Sequence, residues 1–361
     1  MPKHSSAPSP SAAPPEVDDS TREVRLPSLF AIETHLVAWQ GLSATTPADW
    51  NLALFGGDRR SGHLRVDDVD GPRLELRWEK PTKAIDLERS VDDFLGRIGR
   101  QLKKQKEEFS IAEDKRIVSK SRPHTARRKD GLVHFGWSGE RDAPIGQGWG
   151  AAWQCPDCGR VVVAHIIGRG RERSDKVQRL AGEVLASMSC HGKGGWQTWS
   201  VFDLSVDIPE EFDLSRAKLL TGRLELEWAL PRAGGMLRSF QRDERLQLGR
   251  WSLADTILRH ESLHDWARRT LTISDKLLLW RGWQESELRG HSAVQAKGSL
   301  RDLRRRLQFA LQERLRPTST QESTISVWHC PQSNKIFALG SDLSPKNRHV
   351  AQDVLDSLEC H

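Results

Sequence analysis

The segment Arg73-Leu74-Glu75-Leu76-Arg77-Trp78 alternates polar and apolar residues with a period of two. Successive side chains of a strand point to opposite faces. The pattern therefore predicts a strand with Leu74, Leu76 and Trp78 on a core and Arg73, Glu75 and Arg77 in solvent. Arg223 to Trp228 repeats it, with Leu224, Leu226 and Trp228 inward. From Leu87 to Phe109 the period becomes helical, with Val91, Phe94, Leu95, Ile98 and Leu102 on one face. Its expected counterpart runs from Leu253 to Trp266. Strands carrying Gly136-Trp137 and Gly282-Trp283 follow, then the apolar strand Val161 to Ile167 in the first half. Each half closes on an amphipathic helix. One has Val177, Leu180, Ala181, Val184, Leu185 and Met188 on a face, with Ser174 as N-cap; the other has Val350, Val354, Leu355 and Leu358, with Ser344-Pro345 at its start.

These elements come twice in one order. Leu42-Ser43, Pro47, Trp50 and Leu52 recur as Leu204-Ser205, Pro209, Phe212 and Leu214; Arg73-Leu74-Glu75-Leu76 recurs as Arg223-Leu224-Glu225-Leu226. Trp153 and Cys155-Pro156 recur as Trp328 and Cys330-Pro331, and Ser187 with Cys190-His191 recurs as Ser357 with Cys360-His361. An internal repeat sets the domain organisation. The expectation is an α+β chain of two duplicated domains, each an antiparallel sheet flanked by helices, at 24–192 and 193–361. A Pro/Ser/Ala-rich leader occupies 1–23 and reads as disordered. The first half adds a basic loop, Lys115 to Lys129, and the second a helix at Arg301 to Leu315.

With 361 residues and 14 Trp, the chain can bury two sizeable cores. The leader lacks the apolar stretch of a signal peptide, and no run approaches the roughly 18 apolar residues of a spanning helix. The expected location is cytoplasmic, where structural disulfides are disfavoured. A net charge of +6 permits an anionic partner without requiring one.

Phe202–Leu214 (FDLSVDIPEEFDL), Gly222–Pro231 (GRLELEWALP), Gly290–Ala293 (GHSA) and a final Val354–His361 (VLDSLECH) resemble the PsbP-like superfamily, which includes a Ran-binding nuclear import factor family. The resemblance covers most of each half and implies a sheet flanked by helices. It implies no shared ligand, and the Cys and His residues are an addition to that pattern.

All five cysteines lie in the shared motif. Cys155-Pro156-Asp157-Cys158-Gly159 has the form of a zinc knuckle, a tight turn presenting two thiolates to one ion. The helix that follows must run back antiparallel to the strand after the turn, which returns Cys190-His191 to its neighbourhood. Cys155, Cys158, Cys190 and His191 thus form a Cys₃His candidate for structural zinc. In the second half Cys330, Cys360 and His361 remain, Ser333 stands where the second knuckle cysteine would be, and His329 points to the other face. Three ligands suit an open, catalytic zinc site; a repeat that has lost its metal is the simpler reading. Disulfides Cys155–Cys190 and Cys330–Cys360, or inert buried thiols, are the alternatives to metal.

Lys115, Arg116, Lys120, Arg122, Arg127, Arg128 and Lys129 could neutralise phosphates, but no aromatic residues are interleaved to stack bases, and a solvated insertion explains the loop. The repeated Glu75 and Glu225 read as solvated sheet positions, and the Trp-rich segments around Trp137, Trp149, Trp153, Trp196 and Trp199 as core and rim. No phosphate loop, nucleophile elbow or paired-histidine metalloprotease motif occurs, and His134, His165 and His291 have no sequence-near triad partners. The expected function is a non-enzymatic interaction or scaffold protein with a protein partner. Nucleic-acid binding through 115–129, or a thiol- or metal-dependent enzyme at the second Cys/His corner, is the alternative.

Overall fold

A computed structural model describes residues 33–104, 109–111, 131–231, 243–274, 278–300 and 322–360. The leader 1–23, the basic loop 115–129, the helix expected at 301–315 and His361 lie outside the described residues.

The first half runs β1 (Thr34–Trp39), β2 (Leu42–Pro47), β3 (Asn51–Gly57), β4 (Ser61–Asp68), β5 (Gly71–Glu79), α1 (Leu87–Lys104), β6 (Phe109–Ile111), β7 (Leu132–Gly139), β8 (Gln147–Gln154), β9 (Val161–Gly168) and α2 (Ser174–Ser187). The second runs β10 (Trp196–Val201), β11 (Leu204–Pro209), β12 (Asp213–Leu220), β13 (Arg223–Leu230), β14 (Glu244–Ser252), α3 (Ala254–Ile257), α4 (Leu263–Ser274), β15 (Leu278–Leu288), β16 (His291–Leu300), β17 (Glu322–Cys330), β18 (Lys335–Leu343) and α5 (Arg348–Ser357). The described chain is α+β, with strands predominating. All its strand pairings are antiparallel. They form seven-stranded sheets of order β3-β4-β5-β9-β8-β7-β6 and β12-β13-β14-β18-β17-β16-β15, and a four-stranded sheet β11-β10-β1-β2.

Each seven-stranded sheet is covered on both faces. One face of the first carries Val91, Phe94, Leu95 and Leu102 of α1 against Phe135, Trp137, Ala152 and Val163. The other carries α2, whose Val177, Ala181, Val184 and Leu185 join Leu74, Leu76, Trp153 and Ile166. This is why all eight residues of β9 are buried, as an uninterrupted apolar run requires. In the second sheet α4 packs over β15, β16 and β17, while α5 packs on β11 and β18.

The four-stranded sheet is shared. β1 meets β10 with Ala38 opposite Ser200, and the Ser200 hydroxyl donates to the Leu36 carbonyl at 2.8 Å. Around it Trp39 packs on Phe55 at 4.6 Å and edge-on to Trp199 at 4.9 Å, and Trp199 packs edge-on to Trp228 at 5.4 Å. One apolar core therefore runs through both halves.

Several sequence correspondences differ in space. Arg73–Trp78 lies in the third strand of its sheet, beside β9, whereas Arg223–Trp228 lies in the second strand of the other. Gly136-Trp137 is on β7, next to the edge, and Gly282-Trp283 is on the edge strand β15. Any strand with one apolar face produces the same short alternation, so such strings match without sharing a position. Arg73 is buried rather than solvated: it contacts Asp68 at 3.4 Å and Glu172 at 2.9 Å and lies over the Trp50 ring. Within the described residues α1 spans Leu87–Lys104. The N-cap of α2 is Arg173, not Ser174, and α5 starts at Arg348 after a turn containing Ser344 and Pro345.

His165 is fully buried among Phe94, Phe135 and Trp137, and burial pushes its pKa below the usual 6.5. Glu75 pulls the other way, more weakly. The folded protein keeps this imidazole neutral while the unfolded chain protonates it. Its stability contribution is therefore full above pH 6.5 and falls as pH drops through and below that value. Urea unfolding of His165→Leu at pH 7 and pH 5 should show a smaller acid loss than the wild type.

Candidate metal centre

The first corner is assembled from three separated elements. β8 ends at a turn in which the Cys155 amide donates to Arg160 O at 2.8 Å and the Gly159 amide to Cys155 O at 2.9 Å. Gly159 sits at φ 72, a left-handed conformation that glycine adopts without strain. The turn presents Cys155 and Cys158 together. After β9, α2 runs back and is latched at its end. The Thr45 amide donates to Ser187 Oγ at 2.9 Å, and that hydroxyl donates to Val184 O at 2.7 Å. Ser189 then exchanges backbone hydrogen bonds with Ser43 at 2.9 and 3.0 Å. The repeated serine is thus the clamp that sets Cys190 and His191 against the turn.

The four expected residues converge, their ligand atoms all within 4.8 Å of one another. Cys155 Sγ lies 3.5 Å and Cys190 Sγ 3.7 Å from His191 Nδ1; the Cys158 and Cys190 sulfurs are 3.6 Å apart. Tetrahedral zinc, with Zn–S about 2.3 Å and Zn–N about 2.0–2.1 Å, requires S···S of about 3.8 Å and S···N of about 3.6 Å. The observed edges match that tetrahedron. A disulfide needs sulfurs about 2.05 Å apart, and all five cysteines are free thiols, so neither Cys155–Cys190 nor Cys330–Cys360 is bridged.

The surroundings suit a cation held by thiolates. Hydrogen bonds from Cys158 and then Cys190 drive the Cys155 thiol far down in pKa, while the same contacts raise Cys158 and Cys190. Arg160, buried, donates to Gln40 O at 2.8 Å and Cys190 O at 3.2 Å, placing a positive charge behind the corner. Burial lowers its pKa, and its electrostatic interaction with Cys158 and Cys190 opposes that. On the open side Asp157 Oδ2 lies 3.6 Å from His191 Nε2. A carboxylate there fixes the ring with Nδ1 toward the sulfurs.

The second corner repeats the frame with different ligands. Asn334, at φ 52, replaces Gly159, and Ser333 replaces Cys158, its hydroxyl buried without a hydrogen-bond partner. The serine clamp recurs: the Asp207 amide donates to Ser357 Oγ at 3.0 Å, Ser357 Oγ donates to Val354 O at 2.8 Å, and the Glu359 amide donates to Ser205 O at 2.9 Å. Cys330 and Cys360 meet as expected, with Cys330 Sγ 3.6 Å from Cys360 O. Burial, then Cys330, pushes the Cys360 thiol up, and Arg289 partly offsets this. Arg289 also donates to Leu355 O at 3.4 Å and to Leu358 O.

The third converging ligand was not expected. His291 Nε2 lies 3.5 Å from Cys360 Sγ, and His291, Cys330 and Cys360 form a group within 4.8 Å. β16 pairs with β17 with Ala293 opposite Trp328, and two further residues along each strand bring His291 opposite Cys330. The signal was the register of a hairpin neighbour, not spacing along the chain. Lys115, Arg116, Lys120, Arg122, Arg127, Arg128 and Lys129 fall outside the described residues, as does His361. Trp137, Trp149, Trp153 and Trp199 are buried core residues, and Trp196 is partly buried against the core.

No family model matches the chain, and no curated protein matches it. Among solved structures it is similar to the apo structure of the immunity protein TplEi of the T6SS from Pseudomonas aeruginosa, at 9% identity and TM-score 0.31, covering 90% of this chain and 96% of that one. The same protein complexed with "L" peptide gives 10% identity and TM-score 0.32 with the same coverage. Similarity at that level carries no argument about fold or role.

Proposed function

We propose that the chain is a non-enzymatic interaction or scaffold protein, built of PsbP-like repeats at 24–192 and 193–361 and stabilised by structural zinc at Cys155, Cys158, Cys190 and His191. The observation that carries the zinc reading is the near-tetrahedral convergence of three sulfurs and one imidazole nitrogen. Four protein ligands leave no position for a substrate, which makes this corner a brace rather than a reaction centre. What supports the repeat reading is the common strand order of the two seven-stranded sheets. Two similar surfaces on one chain suit bivalent contact with a protein partner. Burial of Cys330, Cys360 and His291 weighs against the thiol-enzyme alternative, because a nucleophile must be reachable.

The test is metal analysis and thiol labelling of the full chain, purified under reducing conditions without chelator. Bound zinc, with Cys155, Cys158 and Cys190 protected from alkylation until a chelator is added, is expected. Folded protein that purifies without zinc, with these cysteines alkylated equally fast before and after chelator is added, would overturn the zinc reading. Asp157→Asn should keep the stoichiometry but weaken zinc affinity by about 10-fold or more, as loss of the carboxylate behind a liganding imidazole does. Competition with a chromophoric chelator measures this.

A further inference from the structure

We propose that the second corner is a metal site in its own right, holding zinc through His291 Nε2, Cys330 Sγ and Cys360 Sγ. His291 compensates for the knuckle cysteine that Ser333 replaces. The donors come from three elements: the start of β16, the end of β17 and the residues after α5. Each is placed independently, His291 by strand register, Cys330 by the turn before β18, and Cys360 by the Ser357 clamp and the Glu359 bridge. Their ligand atoms lie within 4.8 Å, and the Cys360–His291 edge of 3.5 Å matches the S···N edge of about 3.6 Å in tetrahedral zinc.

The burial of the group points the same way. His291 is 8% exposed, Cys360 6% and Cys330 0%. Two thiols and an imidazole enclosed together suit a shared cation better than a packed apolar corner, which a chain builds from aliphatic side chains. The site differs from the first in charge: two thiolates and a neutral imidazole cancel the ion, whereas three thiolates leave one negative charge beside Arg160. With fewer thiolates, the second site binds zinc more weakly and surrenders it to a chelator first.

The test uses the full chain and reads metal content together with the spectrum of the cobalt-substituted protein. The wild type should hold two equivalents of zinc, His291→Ala one, and Cys158→Ser should lose or weaken only the other. His291→Cys should keep both and strengthen the sulfur-to-cobalt charge-transfer band, a gain that a merely structural histidine would not produce. It also decides the matter if His291→Ala fails to fold. Two equivalents retained in folded His291→Ala, or an unchanged charge-transfer band in His291→Cys, would overturn the proposal. The two corners fail separately. A single wild-type equivalent that survives Cys158→Ser and is lost in His291→Ala removes the first site and keeps this one, and the reverse pattern removes this one.

Discussion

Stripping zinc from the first corner should lower the thermal midpoint of the full chain by roughly 4–8 °C. A ligand present at about 1,000 times its dissociation constant stabilises the folded state by about 4 kcal/mol, and with an unfolding entropy of about 2.1 cal/mol/K per residue each kcal/mol moves the midpoint of a cooperative unit this size by about 1–2 °C. The effect is large because of what the corner joins. The β8–β9 turn carries Cys155 and Cys158, the end of α2 carries Cys190 and His191, and the Ser43–Ser189 bridge ties that end to β2. Losing the ion leaves three crowded sulfurs with no cation between them, and Cys190 is fully buried there. Cys155→Ala, Cys158→Ala and Cys190→Ala act through one ion, so their losses should be similar and not additive. Differential scanning calorimetry with and without chelator measures this. Midpoints that fall stepwise in double variants, or a chelator effect that persists in Cys155→Ala, would count against a single shared ion.

The second large effect is expected on cutting the molecule in two. Expressed apart, 24–192 and 193–361 should not behave as folded monomers, and co-expression should restore a soluble complex. Separation exposes the edges where β1 and β10 meet and opens the contact between Trp39 and Trp199, which are both about 1% exposed in the whole chain. It also removes the Arg59 contact to Glu210, which reaches from one half to the other. A free strand edge flanked by bare aromatic rings favours aggregation. In the intact chain Trp199→Ala should cost about 3–5 kcal/mol, in the range for an aromatic residue truncated in a packed core. Chemical denaturation of the variant and size-exclusion chromatography of the separate halves provide the readouts. Two well-folded monomeric halves would sink the prediction.

The first corner was legible because its donors sit where the chain must reverse. A Cys-x-x-Cys-Gly turn and the end of a helix returning from the next strand are placed by connectivity alone. His291 was not legible, because its position depends on which strands neighbour each other and in what register. The repeated Arg-Leu-Glu-Leu string was misleading for a related reason: alternation reports which face is buried and not which place a strand takes in the sheet. Arg73 shows a further limit. A charged residue on an alternating strand reads as solvated unless Asp68 and Glu172 are known to close over it. The shared four-stranded sheet was hidden because each of its hairpins looks complete by itself, and only their meeting at Ala38 and Ser200 joins the halves.

That meeting point has a consequence for how the chain can vary. Ala38 is the fifth residue of β1 and Ser200 the fifth residue of β10, so each strand crosses its own counterpart at the same place, antiparallel. This is the geometry of an isologous contact, the kind a two-fold axis makes between identical subunits. In a symmetric dimer every substitution would appear on both sides of the axis at once. Here the two sides are encoded separately, so position 158 can be a cysteine and its counterpart 333 a serine while the Ala38–Ser200 contact between the halves is kept.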